Sequence, residues 1–327
     1  MGAEPNFKGR DIISINDFSR AEIEYILDKT DGLRKLPEEE RAQLMRGKVL
    51  ASLFFEPSTR TRTSFNMAMQ KLGGSVEGIT GSEGTSLVKG ESLADTIRMY
   101  NAYGFDVIVI RHPLKGSARL ASEATSIPVI NGGDGANQHP TQTLLDLYTI
   151  RECQGRIDGL KVAMVGDLLY GRTVHSLTQA LSMFNGCQLY FVSPSELQMP
   201  ILYKEDLGEK EVSFSEHRRI EDVVKEVDIL YMTRIQKERF TDNPMLYEKL
   251  KRVYQLTPEM LDGARDNLRV LHPLPRIKNP SIKPDNEPVS EISSLVDNMP
   301  YAYYFRQAEN GLYVRQALIC LVTGAIK

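Results

Sequence analysis

The sequence predicts an α/β protein of two domains, each a parallel sheet flanked by helices. Three observations predict it. Short β-branched or aromatic runs alternate with segments of helical period along the whole chain, the pattern of helices layered on a parallel sheet. The alternation restarts after the linker Gln154-Gly155-Arg156-Ile157-Asp158-Gly159, where turn residues gather. The length, 327 residues, exceeds what one ordinary core holds.

In the first half, residues 48–55 read as a buried strand. Pro57 and Ser58 then start a helix with Phe65, Met69 and Leu72 on one face, and Gly73-Gly74 end it, because glycine takes the left-handed cap conformation without penalty. A strand at 76–80, a loop at 81–90 and a helix from 91, with Leu93, Ile97 and Tyr100 in register, follow. Then come strand 106–110, helix 117–124, strand 128–130 and a long helix at 140–152. In the second half, strands are expected at 161–165, 188–192, 212–215, 228–232 and 268–271, with helices at 173–184, 220–227, 246–253 and 258–264. Domains of 1–150 and 151–304 result, with a C-terminal helix of about 305–327 packing back on the first. Residues 277–290 carry Pro280, Pro284 and Pro288 among polar residues and read as an exposed irregular loop.

Composition narrows the function. The chain is 41% hydrophobic and 25% charged, with a net charge of -3, so it lacks the basic surplus of a general nucleic-acid binder. Its longest apolar runs, such as Val107-Ile108-Val109-Ile110, are strand-length and far short of a membrane span. Residues 1–17 are polar and contain no signal-peptide core. Cys153, Cys187 and Cys320 fit no disulfide framework and suit a reducing compartment, so a cytoplasmic enzyme is expected. No acidic or His/Cys set has metal-ligand spacing, and neither a Walker loop nor a Gly-x-Gly-x-x-Gly turn is present, so no metal or cofactor is expected.

Ligands of open parallel sheets sit beyond the C-terminal ends of the strands. Here those ends lead into Ser58-Thr59-Arg60-Thr61, Arg111-His112-Pro113, Asn131-Gly132-Gly133-Asp134-Gly135 with His139 and Gln142, Gly166-Asp167 with Arg172, Thr233-Arg234 with Gln236, and His272-Pro273-Leu274-Pro275-Arg276. The first cluster is the most informative. A helix N-terminus offers unpaired N–H groups and partial positive charge to an anion. Ser58, Thr59 and Thr61 add hydroxyls and Arg60 a guanidinium, which grips phosphate oxygens bidentately. An isolated Ser-Thr-Arg would more often be a cap and a surface charge, but Ser58 to Thr63 are six consecutive hydroxyl or guanidinium residues. His139, beside Pro140, is either a helix cap or a donor to a reacting carbonyl oxygen, and its position alone does not choose. His112 reads as structural. Arg172 and Arg234 read singly as salt-bridge partners and together as a pair for two carboxylates.

At these residues the chain resembles the aspartate/ornithine carbamoyltransferase family. The resemblance rests on Phe55-Glu56-Pro57-Ser58-Thr59-Arg60-Thr61-Arg62, Lys89-Gly90-Glu91-Ser92-Leu93-Ala94-Asp95-Thr96, Arg111-His112-Pro113 and Gln138-His139-Pro140-Thr141-Gln142. It continues through Val165-Gly166-Asp167, Gly171-Arg172-Thr173-Val174-His175-Ser176, Thr233-Arg234-Ile235-Gln236-Lys237-Glu238-Arg239 and His272-Pro273-Leu274-Pro275-Arg276. These segments run in family order over nearly the whole chain.

The resemblance implies transfer of a carbamoyl group from carbamoyl phosphate to L-aspartate, an early step toward pyrimidines, in a cleft between the two domains. It implies that Ser58, Thr59, Arg60 and Thr61 bind the phosphate, that Arg111, His139 and Thr61 hold the carbamoyl oxygen, and that Gln142 with the Pro273 and Leu274 carbonyls holds the carbamoyl nitrogen. Arg172, Arg234 and Gln236 would bind aspartate. The family forms homotrimers with shared active sites, so Ser86 and Lys89 would reach a neighbouring chain's site, Lys89 touching both substrates. Glu56 would pair with Arg172 and Arg239 to hold the domains closed. A regulatory subunit stays open as a further partner.

Two alternatives compete. An ornithine-using member shares the phosphate motif but resembles a His-Cys-Leu-Pro turn, where this chain has His272-Pro273-Leu274-Pro275. A non-catalytic trimeric relative would need its site eroded, and every residue named above is intact.

Overall fold

The strands form two separate parallel sheets in a computed structural model that describes residues 4–81, 89–135, 137–235, 254–276 and 290–327. Unit 1 comprises Met1–Tyr148 and Glu309–Lys327, and unit 2 is Thr149–Ala308.

Unit 1 holds β1 (Val49–Phe54), β2 (Ser75–Thr80), β3 (Val107–His112) and β4 (Val129–Asp134), in the order β2-β1-β3-β4. Its helices are α1 (Arg20–Lys35), α2 (Glu38–Arg41), α3 (Thr59–Lys71), α4 (Leu93–Ala102) and α5 (Ser117–Glu123), and α6 (Pro140–Gln154) starts within it. Continuous apolar sequence makes β1 and β3 buried strands, as parallel sheets covered on both faces require. Leu53, Ile108, Ile110 and Val129 pack with Ile97, Ala118 and Ala121 from α4 and α5. Phe65, Met69 and Leu72 are fully buried, and Gly73 follows at φ +86°, the left-handed conformation that stops α3.

Unit 2 holds β5 (Lys161–Val165), β6 (Gln188–Val192), β7 (Ser213–His217), β8 (Ile229–Met232) and β9 (Arg269–Leu271), in the order β7-β6-β5-β8-β9. α7 (Arg172–Leu181) and α8 (Ile201–Glu209) belong to it, and the last long helix, α9 (Tyr304–Thr323), begins in it and continues among the residues of unit 1. Its core gathers Ala163, Val165, Leu230, Met232 and Val270 from the sheet with Val223, Val224, Leu256 and Ile292.

Both strand orders contain one reversal, between β1 and β3 and between β5 and β8. At such a switch point adjacent connections leave toward opposite faces of the sheet and open a crevice for ligands. The strand ends are level there: Phe54 pairs with Arg111, and Val165 with Met232. Gly166, at φ +115°, sits so close to the Thr233 carbonyl that a Cβ would lie 2.6 Å from its oxygen. Only glycine fits that turn.

The sequence reading needs correction at several elements. Asn131-Gly132-Gly133-Asp134 is the end of β4 and not a turn, with every residue buried and Asp134 in register with His112. Asn131 makes this feasible, because its Oδ1 accepts the Gly133 N–H at 2.8 Å and its Nδ2 donates to the Ile13 carbonyl at 2.9 Å. The helix expected at 220–227 is a 3-10 turn, Ile220–Asp222, and that at 258–264 is the short 3-10 segment Pro258–Leu261. Ile220, Val223, Val224 and Val227 are buried at helical spacing, but branched valines in so short a run do not sustain an α-helix. α1 and α8 were not anticipated, although Ser19 and Glu22 form a capping box at the start of α1. The helix expected at 246–253 and most of the segment 277–290 lie outside the described residues, and Ser290 is buried rather than exposed. No helix among the described residues is long and apolar enough to cross a membrane.

Candidate active site

The β1/β3 switch point places an uncapped helix start beside a buried arginine. Ser58 is the N-cap of α3, yet its side chain makes no capping hydrogen bond. At α1 and α4, by contrast, Ser19 and Ser92 each accept from the third backbone N–H. The first turn of α3 also contains no acidic residue. Its backbone donors and positive dipole end are therefore left for an external anion. Thr59 and Arg60 are exposed at this turn, whereas Thr61 points into the protein and is 7% exposed.

Arg111 ends the neighbouring strand. Its Nη1 donates to the Gly132 carbonyl at 3.1 Å and its Nη2 to Glu56 Oε1 at 2.8 Å. Nε is buried with no hydrogen-bond partner among the described residues. Two fixed contacts thus hold a planar cation in place, as an oxyanion-binding group requires. Glu56, which the resemblance assigns to closure with Arg172 and Arg239, is here the partner of Arg111; Arg239 lies outside the described residues.

His139 is 5% exposed at the start of α6. Its carbonyl accepts from the N–H groups of Gln142 and Thr143, so its backbone serves as the cap, and the imidazole Nδ1 lies 3.5 Å from Thr141 Oγ1. Gln142 donates from Nε2 to Asp146 Oδ1 at 2.8 Å, one helical turn along. His112 is a structural group: its Nδ1 accepts from the Leu114 N–H at 3.1 Å, and its ring meets Phe55 edge-on. Burial lowers its pKa, against an opposing pull from Glu56 toward the protonated form. Lys89 is exposed, and Ser86 lies outside the described residues.

In unit 2, Arg172 opens α7 and Arg234 follows β8, both partly buried. Thr233 ties these segments together, donating from Oγ1 to the Val165 carbonyl at 2.8 Å and accepting from the Asp167 N–H at 3.2 Å. The β5/β8 switch point therefore presents two arginines and suits a ligand with two carboxylates. Gln236 lies outside the described residues. After β9, His272 accepts the Leu274 N–H on Nδ1 at 2.8 Å, and Leu274 takes the unusual φ of +49°. That bond fixes the tight turn at Pro273 and Leu274, whose carbonyls were expected to face a ligand.

Sequence reasoning missed several supporting groups. Asp146 and Asp134 carry short carboxylate contacts to site segments, and Asp134 stood within the cluster that pointed to the site. Arg315, the second arginine of α9 after Arg306, left no local signal of its role. No group of three or more His, Cys, Asp or Glu among the described residues could hold a metal ion.

Comparison with known proteins identifies the family. Residues 10–152 match the model described as aspartate/ornithine carbamoyltransferase, carbamoyl-P binding domain, and residues 158–322 match the Asp/Orn binding domain of the same family. The chain is 54% identical over 313 residues to the aspartate carbamoyltransferase catalytic subunit of Vibrio campbellii (strain ATCC BAA-1116), covering 95% of this chain and 96% of that one. The solved catalytic subunit of M. jannaschii aspartate transcarbamoylase superposes with a TM-score of 0.87 at 48% identity, covering 95% of this chain and 97% of the other. The Trypanosoma cruzi aspartate transcarbamoylase in complex with carbamoyl phosphate and aspartate gives a TM-score of 0.85 at 36% identity, covering 98% and 99%.

Proposed function

Because the chain belongs to the aspartate/ornithine carbamoyltransferase family, we propose that it transfers the carbamoyl group of carbamoyl phosphate to the amine of L-aspartate, releasing N-carbamoyl-L-aspartate and phosphate. The observation that carries this reading is the start of α3, stripped of its own cap and lying at the same switch point as Arg111.

Ser58, Thr59, Arg60 and Thr61 hold the phosphate through hydroxyls, backbone N–H groups and a guanidinium. The neutral amine of aspartate attacks the carbonyl carbon, and negative charge develops on the carbonyl oxygen. Arg111, His139 and Thr61 donate to that oxygen, and Glu56 and the Gly132 carbonyl keep Arg111 from reorienting. Gln142 and the Pro273 and Leu274 carbonyls orient the carbamoyl nitrogen. As the tetrahedral intermediate collapses, the carbon–oxygen bond to phosphate breaks, and the departing phosphate takes the proton lost by the amine. Arg172, Arg234 and Gln236 bind the two carboxylates of aspartate, a dianion that suits paired arginines better than the ammonium of ornithine does. The active form is a homotrimer in which Ser86 and Lys89 complete the site of the adjacent subunit.

The decisive measurement is a carbamoyl-transfer assay with labelled carbamoyl phosphate, run side by side with aspartate and ornithine. Label in carbamoyl-aspartate is the expected result. Preferential labelling of ornithine would overturn the acceptor assignment, and transfer to neither would overturn the reaction.

A further inference from the structure

A single buried carboxylate closes the turn from β4 into α6. Asp134 is 1% exposed. Its Oδ1 accepts from the Gln138 N–H and from Asn131 Nδ2, both at 3.0 Å. Its Oδ2 accepts from the Gly116 N–H and from Asn137 Nδ2, both at 2.9 Å. The backbone returns the contact, for the Asp134 N–H donates to the Gln138 carbonyl at 3.4 Å and its carbonyl accepts the Asn137 N–H at 3.0 Å. Every side-chain partner is a donor, so the site demands an acceptor at both oxygens. Only an ionised carboxylate supplies that, because an amide would turn an NH2 toward two donors.

The position of these donors matters more than their number. Gly116 caps the start of α5, Asn131 lies within β4, and Gln138 immediately precedes His139. Asp134, the last residue of β4, therefore ties the start of α6 to α5 and to its own strand. We infer that Asp134 is a positioning residue for carbamoyl transfer, which sets His139 at the distance the developing oxyanion needs. This rests on the reading of His139 as an oxyanion donor. A charged hydrogen-bond hub is suited to the task, since rigid supports of this kind hold a catalytic group within fractions of an ångström.

The test is a double-mutant cycle between Asp134→Asn and His139→Ala, with unfolding by urea followed for each variant. Asp134→Asn alone should lower kcat by about 100-fold, the scale of a misplacement near 1 Å. In the His139→Ala background the same change should cost less than about 3-fold, because the group it positions is gone. Full multiplication of the two losses would overturn the inference and leave Asp134 a purely structural residue. Should His139→Ala by itself leave kcat unchanged, the reading of His139 falls instead. If Asp134→Asn cannot be recovered folded, Asn137→Ala takes its place, removing one donor from the exposed side of the hub. Its smaller loss should likewise vanish with His139→Ala, and persistence of that loss would sink the proposal.

Discussion

Arg315 of α9 donates from Nη1 to Ser64 Oγ at 2.9 Å, joining residues 251 positions apart in the chain. Its guanidinium also lies over the Phe65 ring at 5.2 Å. Both contacts fall on α3, the helix whose first turn forms the anion cradle. Burial pushes the Arg315 pKa down to about 10, with Asp146 acting in the opposite sense, so it stays protonated at neutral pH. Asp146 in turn accepts from Gln142. One buried cation therefore bears on both α3 and α6.

Arg315→Ala should lower the unfolding free energy by about 3 kcal/mol, since it removes a charged hydrogen bond and leaves Asp146 without its cation. Urea unfolding measures this. A loss below about 1 kcal/mol would show that α9 docks without it.

Arg111→Lys should cut kcat by about 100-fold or more while retaining the charge. A lysine ammonium cannot keep contacts to Gly132 and Glu56 and still face an oxyanion squarely. Retained kcat would mean that charge alone, rather than the guanidinium fork, does the work.

Arg60→Ala should abolish turnover with little change in thermal stability, because the side chain is exposed at the first turn of α3. Arg234→Ala should raise the KM for aspartate and leave carbamoyl phosphate binding intact. Reversal of those two effects, read by calorimetry with each substrate, would exchange the roles given to the two units.

Mixed assemblies of Lys89→Ala and Ser58→Ala chains should regain part of the activity that each homogeneous variant lacks. Such rescue requires a site built from two subunits. Inactive mixtures, with mixed trimers shown by mass spectrometry, would rule sharing out.

Acid should weaken the fold through His175. Burial holds its pKa below the ordinary 6.5, against the opposing effect of its bond to the Leu168 carbonyl at 2.8 Å. The unfolded chain takes up this proton near pH 6.5 and the folded chain only lower, so this part of stability is present above pH 6.5 and is lost as the pH falls below it. His175→Gln should flatten the decline in unfolding free energy between about pH 7 and pH 5.5. An unchanged slope would remove His175 from the account.

The strands were legible because parallel strands buried on both faces leave a continuous apolar signature, as at Val107 to Ile110. The clusters at their ends were legible through the rule of strand ends. Asn131 to Asp134 misled because glycine and aspartate signal a turn locally, while the hydrogen bonds that make them strand come from Ile13 and from Asn131 itself. The segment 220–227 misled for the opposite reason, since its apolar spacing fits a helix but its valines resist one. Arg315 and Asp134 act through partners distant in sequence or through the backbone, and no local pattern encodes such pairing.

The division of unit 1 into two stretches of chain has a consequence for synthesis. Residues 149–308 are made complete before residues 309–327 exist, so on the ribosome the second unit can fold while the first still lacks the helix that carries Arg315. The α3 cradle would then stay loose until that helix has been made. The Gly9 N–H donates to the Val322 carbonyl at 2.8 Å, so the two stretches of unit 1 meet there. A permuted gene that joins them through a short linker and begins in another surface loop would reverse that order, delivering α9 to α3 early in synthesis.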